Sequence, residues 1–236
     1  MDETTPTPEE ATPDEAAPDA LSDIDALMDA PVAADDAPPP APADLPLEVE
    51  RFTIPGPVRL TPVRREDERG WFAETYNAAH FAEAVGRDVD FVQDNQSVSF
   101  KTGTLRGLHF QYPPFAQGKL VRVVAGAILD VVVDIRHGSP TFGQHVKVRL
   151  DAKTGDQLWV PEGFAHGFIT TRANTMVAYK TTALYAPQAE GVLAWNDELL
   201  HIDWEFKKPM LSERDQRAPG LADLVTPFAL NPPQRI

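Results

Sequence analysis

The chain of 236 residues contains no cysteine, and its first 46 residues contain no lysine or arginine. The missing cysteine excludes disulfides, thiolate nucleophiles and cysteine-ligated zinc or iron–sulfur sites. The N-terminus has no basic segment followed by an apolar stretch, so we expect no secretory signal. The longest apolar run, residues 120–135, is interrupted by Arg122, Asp130 and Asp134 and is too short and too polar to span a bilayer. We therefore expect a soluble, cytoplasmic protein that does not insert into membranes.

Negative charge is concentrated in the first 46 residues, which contain 13 Asp or Glu, ten Pro and eleven Ala. The net charge of the chain is −15, of which −2 belongs to the remaining 190 residues. A segment of this composition cannot bury enough apolar area to offset its chain entropy. We therefore predict a disordered tail over residues 1–46 and a folded domain over residues 47–236. The chain also lacks the basic surface that binds phosphate backbones, so we expect no nucleic-acid partner.

One short part of the tail has helical spacing. Leu21, Ile24, Leu27 and Met28 lie on one side of a helix if residues 20–30 adopt that conformation. Two interpretations are open at this point: a chance cluster in a solvated tail, or a docking helix that orders on a protein partner. A pulldown with and without residues 20–30 distinguishes them.

After Arg51 the pattern changes to short apolar runs separated by Gly and Pro. Asn77 predicts the N-cap of one helix, Ala78 to Val85, which ends at Gly86. The other apolar segments, rich in β-branched residues, are Lys119 to Val124, Ala127 to Ile135, Val146 to Leu150, Gln157 to Val160, Gly167 to Thr171 and Met176 to Leu184. Short strands with turn signals between them predict an all-β sandwich or barrel rather than alternating βαβ units.

The spacing of one Gly/Pro/His pattern is similar to a motif of cupin jelly-roll barrels. Gly155, Pro161, Gly163 and His166 follow the second cupin motif, with Thr170 where asparagine is usual. The resemblance implies a cupin-type jelly-roll β-sandwich with a few short helices.

The positions that bind a metal ion in many cupins correspond here to His109, Gln111, Lys119 and His166. An ammonium group beside a divalent cation is repulsive, and lysine offers no lone pair until it loses its proton. We therefore predict no metal and no other cofactor. The two histidines and the lysine instead suit proton abstraction next to a carbonyl, because a histidine takes a proton and an ammonium stabilises an oxyanion.

Seven longer sequence motifs occur in order along the folded part. They are Asp67-Glu68-Arg69-Gly70, Phe91-Val92-Gln93-Asp94-Asn95, Leu105-Arg106-Gly107-Leu108-His109-Phe110-Gln111, Lys119-Leu120-Val121-Arg122-Val123, Ser139-Pro140-Thr141-Phe142-Gly143, Pro161-Glu162-Gly163-Phe164-Ala165-His166-Gly167-Phe168 and Trp195-Asn196-Asp197. Together they resemble the dTDP-4-dehydrorhamnose 3,5-epimerase family, metal-free cupins of sugar-nucleotide biosynthesis, over about residues 48–217. The resemblance implies the substrate dTDP-4-dehydro-6-deoxy-D-glucose, inverted at C3 and C5 to dTDP-4-dehydro-L-rhamnose for L-rhamnose biosynthesis.

The resemblance also implies catalytic roles for four residues. His109 abstracts the proton, Lys119 stabilises the C4 enolate, and Tyr179 returns a proton from the opposite face of the sugar. Asp215 pairs with His109, which fixes the imidazole tautomer and favours the imidazolium formed on proton abstraction.

Substrate binding is assigned to a wider set, again by the resemblance. Besides Lys119, these residues are Arg69, Glu74, Gln93, Asn95, Arg106, His166, Tyr185, Glu190 and Arg214. Arg69 and Arg106 match phosphate-contacting positions, and guanidinium groups suit a diphosphate. Tyr185 is a candidate to stack on the thymine base. Family members are homodimers, and Leu47 to Val63 is expected to extend a partner's sheet.

Three other functions remain open at this point. Relatives of similar sequence invert only C3 or only C5. A metal-dependent cupin such as a dioxygenase is disfavoured by Gln111 and Lys119. A non-catalytic sugar-nucleotide binding module has no evident need for a base, an acid and an oxyanion-stabilising group together.

Overall fold

The structure, a computed structural model, describes residues 47–230, which form thirteen strands and two α-helices. The strands are β1 (Leu47–Arg51), β2 (Val58–Pro62), β3 (Arg65–Asp67), β4 (Gly70–Phe72), β5 (Gln93–Ser99), β6 (Leu105–Gln111), β7 (Lys119–Ala125), β8 (Ala127–Asp134), β9 (His145–Asp151), β10 (Gln157–Val160), β11 (Phe164–Thr170), β12 (Thr175–Thr181) and β13 (Glu190–Val192). The helices are α1 (Ala78–Val85) and α2 (Glu213–Gln216), and short 3₁₀ turns occur at Pro187–Ala189 and Leu221–Asp223. The predicted tail, with its possible docking segment, lies outside the described residues.

The strands form two antiparallel sheets and a separate β3–β4 hairpin. One sheet has six strands in the order β1-β2-β10-β7-β12-β5, and the other has five in the order β13-β6-β11-β8-β9. Their inner faces share one hydrophobic core, in which Val121 and Val177 of the six-stranded sheet pack with Val132 and Phe168 of the five-stranded sheet. This arrangement confirms the predicted all-β sandwich.

Helix α1 covers part of the outer face of the six-stranded sheet. The Asn77 side chain caps it by accepting from the backbone N–H of Ala79 at 3.0 Å, and Gly86 ends it with a φ of 76°. Phe81 is buried and packs edge-on against Trp159 of β10. The predicted bounds of this helix are confirmed. At eight residues it is the longest helix between residues 47 and 230, and no helix there is long and apolar enough to cross a membrane.

The segment from Leu47 to Val63 extends the six-stranded sheet of its own chain, because β1 pairs with β2 and β2 pairs with β10. Burial favours this position: Val58 and Leu60 are both 2% exposed and pack with Trp159 beneath α1. The structure holds one chain, so the extension of a partner's sheet stays a prediction.

The outer face of the five-stranded sheet is covered by the chain that follows β13. Leu193, Leu200 and Trp204 pack there against Leu129 and Val131 of β8. This covering segment leads directly into α2. Through this connection the side chain of Asp215 in α2 contacts His109 of β6, although the two residues are far apart in the sequence.

Candidate active site

A cavity of about 420 Å³ opens between the two sheets. His109 of β6 and His166 of β11 line it from the five-stranded sheet, while Lys119 of β7 and Tyr179 of β12 line it from the six-stranded sheet. Asp215 of α2 also lies at its wall. The structure therefore brings the four predicted catalytic residues and His166 into one cavity.

The pairing of β6 with β11 places the two histidines side by side. His109 and His166 are directly opposite partners in this ladder, so their side chains leave the same face of the sheet. Gly107 makes the close approach of the strands possible: a Cβ there would lie 2.6 Å from the Cα of Gly167, and its φ is +117°. The register shifts between His166 and Phe168, beside this contact.

His109 is held by a buried carboxylate. Its Nε2 lies 2.7 Å from Oδ1 of Asp215, which is 4% exposed. Burial alone would raise the pKa of Asp215, but hydrogen bonds from His109, Ser212 and the backbone of Gly107 outweigh it and lower the pKa. Because a carboxylate only accepts, Nε2 of His109 carries the proton and donates it. The lone pair for accepting a substrate proton is then on Nδ1.

His166 forms a second pair of the same kind. Its Nε2 donates to Oδ1 of Asp130 at 2.6 Å, and Asp130 has no exposed surface. The other oxygen of Asp130, Oδ2, is buried with no hydrogen-bond partner among the described residues. In the sequence, Asp130 interrupts an apolar run and has no predicted role. The signal that points to a role is a charged residue inside an otherwise apolar strand.

Lys119 carries a perturbed ammonium group. Burial lowers its pKa from 10.5 to about 8, against the opposing effects of the Asp130 and Glu190 carboxylates. Nζ donates a long hydrogen bond of 3.4 Å to the backbone oxygen of His109. The side chain is thus charged at neutral pH and directed at the strand that carries the base.

Gln111 stands at the remaining position that binds a metal in many cupins. Its amide nitrogen donates to the backbone oxygens of Phe115 at 2.7 Å and Leu184 at 3.2 Å, and its oxygen accepts from the N–H of Ala186 at 2.9 Å. Both ends of the amide are therefore used to fix two loops. Within residues 47–230, no group of three or more His, Asp or Glu side chains is arranged to hold a metal ion.

Tyr179 faces the histidines from the other sheet. Burial raises the pKa of its phenol, the Arg106 guanidinium partly offsets this effect, and the Glu190 carboxylate adds to it. The hydroxyl is therefore protonated at neutral pH and able to donate. A base on one wall and a proton donor on the opposite wall are what inversion at a carbon atom requires.

Three further predicted binding residues form the rim of the cavity. Arg106, Tyr185 and Glu190 line it, and Oε2 of Glu190 accepts from the Tyr185 hydroxyl at 2.8 Å. Arg214 does not line the cavity but pairs with the same Glu190 oxygen. Cationic side chains at the rim suit the binding of a phosphorylated ligand.

Four predicted binding residues lie outside this cavity. Gln93 and Asn95 are hydrogen-bonded to each other at 2.8 Å on β5, although Gln93 also accepts from the N–H of Tyr185 at 2.9 Å. Glu74 lies 3.2 Å from Nδ1 of His80 near α1. Arg69, with 84% of its side chain exposed, pairs with Asp67 on the β3–β4 hairpin. In this chain the structure does not bring these four to the base.

The comparisons with known proteins agree with the epimerase chemistry that the site geometry supports. The family model described as dTDP-4-dehydrorhamnose 3,5-epimerase matches residues 51–223. A Salmonella typhimurium protein named dTDP-4-dehydrorhamnose 3,5-epimerase is 52% identical over 174 residues, covering 73% of this chain and 94% of the relative.

The solved structures that are similar to this one include two sugar-nucleotide epimerases with bound ligands. A Legionella pneumophila dTDP-6-deoxy-D-glucose-3,5-epimerase, in complex with dTDP-4-keto-L-rhamnose, is 42% identical with a TM-score of 0.72, covering 75% of this chain and 94% of that one. A 3′-monoepimerase of Streptomyces bikiniensis, in complex with dTDP-quinovose, is 37% identical with a TM-score of 0.69, covering 72% and 86%. The cupin-like β-sandwich predicted from the sequence is the fold of these relatives.

Proposed function

This chain belongs to the dTDP-4-dehydrorhamnose 3,5-epimerase family, and we propose that it inverts C3 and C5 of dTDP-4-dehydro-6-deoxy-D-glucose to give dTDP-4-dehydro-L-rhamnose. The observation that carries the proposal is the placement of His109 and Tyr179 on opposite walls of one cavity. A sugar ring between them offers one face to the base and the other to the proton donor.

The chemistry follows from the C4 ketone, which acidifies the hydrogens at C3 and C5. Nδ1 of His109 takes the C3 proton, and the electron pair moves into an enolate whose negative charge lies on the C4 oxygen. The Lys119 ammonium stabilises this oxygen. Tyr179 then donates its phenolic proton to the opposite face of C3. To reset the site, the His109 imidazolium releases its proton to solvent and the Tyr179 phenolate takes one from solvent. The same sequence at C5 completes an isomerisation with no net gain or loss of atoms or electrons.

Asp215 and His166 support this reaction. Asp215 stabilises the imidazolium that forms on His109, because its carboxylate accepts from Nε2 at 2.7 Å. His166 lies beside the base on the cavity wall, where it can contact the sugar. We assign the diphosphate to Arg106, which lines the cavity, and to Arg214, which pairs with Glu190, and we assign the thymine to Tyr185.

The position of Arg69 fits a homodimer. Arg69 belongs to a hairpin whose Trp71 and Phe72 are 54% and 67% exposed. We propose that a second copy of the chain covers these aromatic groups and that Arg69 thereby binds the diphosphate in the partner's site. Mixing Arg69→Ala and His109→Ala chains would then restore about a quarter of the wild-type sites, since half of the dimers are mixed and each has one complete site. No recovery on mixing would contradict this part of the proposal.

The experiment that tests the activity is direct. The EDTA-treated protein is incubated with dTDP-4-dehydro-6-deoxy-D-glucose, and the sugar product is identified by NMR. Formation of the L-configured dTDP-4-dehydro-L-rhamnose supports the proposal, and His109→Ala serves as the inactive control. An unchanged substrate, also after metal is added back, would contradict it.

A single-position epimerase is the second candidate. The similarity to the Streptomyces bikiniensis 3′-monoepimerase favours it. Its product would be inverted at one carbon, so the same NMR experiment distinguishes the two. We propose a place in dTDP-L-rhamnose biosynthesis and a cytoplasmic location only for the first candidate function, the 3,5-epimerase.

A further inference from the structure

Asp130 is a buried carboxylate that the proposed reaction does not use. It lies in β8 on the same face as Ile128 and Val132, which belong to the core between the sheets. One of its oxygens accepts from His166, and the other is buried without a hydrogen-bond partner among the described residues. An unpaired carboxylate oxygen in an apolar interior is costly, so a purely structural role would favour an apolar residue here.

Lys119 is the cation available to this carboxylate. It enters the same space from β7 of the opposite sheet, and Asp130 is the larger of the two carboxylate influences that keep its pKa from falling further than about 8. The titratable and charged groups that share its cavity are His109, Asp215, His166, Tyr179, Tyr185, Arg106 and Glu190. Asp215 and Glu190 each use one oxygen for other side chains: Oδ1 of Asp215 accepts from His109, and Oε2 of Glu190 is shared by Tyr185 and Arg214. Asp130 differs from both, because its remaining oxygen is buried without a hydrogen-bond partner among the described residues and because it has the larger influence on Lys119.

We propose that Asp130 is a positioning residue for Lys119: its second oxygen provides the counter-charge that holds the lysine side chain as an ammonium in the cavity. His166 fixes the orientation of the carboxylate by donating to the first oxygen at 2.6 Å. The two residues form a unit whose effect on the reaction passes through Lys119. The inference deepens the proposed function, in which this ammonium stabilises the C4 enolate.

The test measures the charge of Lys119 without substrate. The chain has seven lysines, so the protein is labelled at lysine ¹³Cε and the Lys119 signal is assigned by its loss in Lys119→Arg. Asp130→Asn is expected to lower the pKa of Lys119 from about 8 by about one unit, the effect of losing a nearby opposite charge. Glu190→Gln is the matched control and is expected to lower it less. An unchanged or raised lysine pKa in Asp130→Asn would overturn the proposal.

A kinetic readout separates this role from a merely structural one. The ratio of kcat in Asp130→Asn to kcat in the wild type should rise as the pH falls from 9 to 6.5, because the lysine of the variant becomes protonated only at lower pH. In a Lys119→Arg background the same ratio should not change with pH, since a guanidinium stays charged throughout. A pH-independent ratio in both backgrounds would contradict the proposal. A lack of epimerase activity would leave the NMR titration intact and would count against the proposed function alone.

A second arm covers the case in which Asp130→Asn does not fold. Lys119→Met removes the counter-charge and should lower the melting temperature, and the double variant with Asp130→Asn should recover part of the loss. If the double variant instead melts no higher than Lys119→Met alone, the two substitutions do not compensate each other and the inference is wrong.

Discussion

Replacing Asp215 with asparagine tests the arrangement of the base. The substitution keeps the shape of the side chain and an oxygen that accepts from Nε2 of His109, but it removes the negative charge 2.7 Å from that nitrogen. The charge matters in the step where His109 becomes an imidazolium. At an effective dielectric constant of about 20, a unit charge roughly 4 Å from the centre of the ring is worth about 4 kcal/mol.

The hydrogen bond that the asparagine retains offsets part of this energy, so we expect a loss of about 2 to 4 kcal/mol in the transition state. That range corresponds to a fall in kcat of about 30- to 1,000-fold. KM should change little, because Asp215 is 4% exposed and bonds to the base rather than to the sugar. The assay is the initial rate of deuterium incorporation at C3 and C5, followed by NMR in heavy water.

Glu213→Gln is the matched control, since Glu213 lies on the same helix, is exposed and pairs with Arg217. It should keep the wild-type rate. If Asp215→Asn keeps kcat within threefold of the wild type, or if only KM rises, Asp215 does not stabilise the His109 imidazolium and the assignment is wrong. A thermal melt gives an independent check. Folding lowers the pKa of Asp215, so its carboxylate stabilises the native state at pH values above its unfolded pKa of about 3.9. The difference in melting temperature between the wild type and Asp215→Asn should therefore shrink as the pH falls below about 3.9.

Four further outcomes are expected. Tyr179→Phe should still exchange deuterium, because abstraction by His109 continues, while inversion stalls; full turnover would remove Tyr179 from the mechanism. The wild-type rate should fall as the pH rises through about 8, where Lys119 loses its charge, and a rate that is flat to pH 10 would count against that role. Gly107→Ala should destabilise the fold by about 2 to 4 kcal/mol, measured by urea unfolding, because its Cβ would lie 2.6 Å from the Cα of Gly167. Deleting residues 1–46 should leave activity unchanged, and a large loss would show that the tail belongs to the fold or the site.

The elements that could be predicted from the sequence are those with local causes. Helix α1 was predicted with its correct bounds because its capping residues, Asn77 and Gly86, lie next to it in the chain. Strand β10 was likewise predicted at its observed bounds, Gln157–Val160. Strand β5, Gln93–Ser99, was not predicted, because it is polar and lies at an end of its sheet, where few of its side chains are buried. Its position depends on pairing with β12, which is distant in sequence.

The residues of the candidate site divide in the same way, into those that the sequence indicates and those that depend on tertiary contacts. Spacing and resemblance pointed to His109, Lys119 and Tyr179, and the structure places all three at one cavity. The contact of Asp130 with His166 could not be read from the sequence, since it depends on the register between β8 and β11. The separation of Arg69 from the cavity also depends on tertiary structure, because nothing in its hairpin motif specifies where the hairpin packs. The catalytic and binding roles of all these residues stay predictions until the variants are measured.

The most direct test of the central claim counts deuterons. The wild-type protein is incubated in heavy water with dTDP-4-dehydro-6-deoxy-D-glucose, and the product is examined by mass spectrometry and NMR. A base and a proton donor on opposite walls predict an L-configured product with one solvent deuteron at C3 and one at C5, and no exchange at either carbon in His109→Ala. Exchange that persists in His109→Ala, or a wild-type product that is inverted but carries no deuterium, would contradict the account.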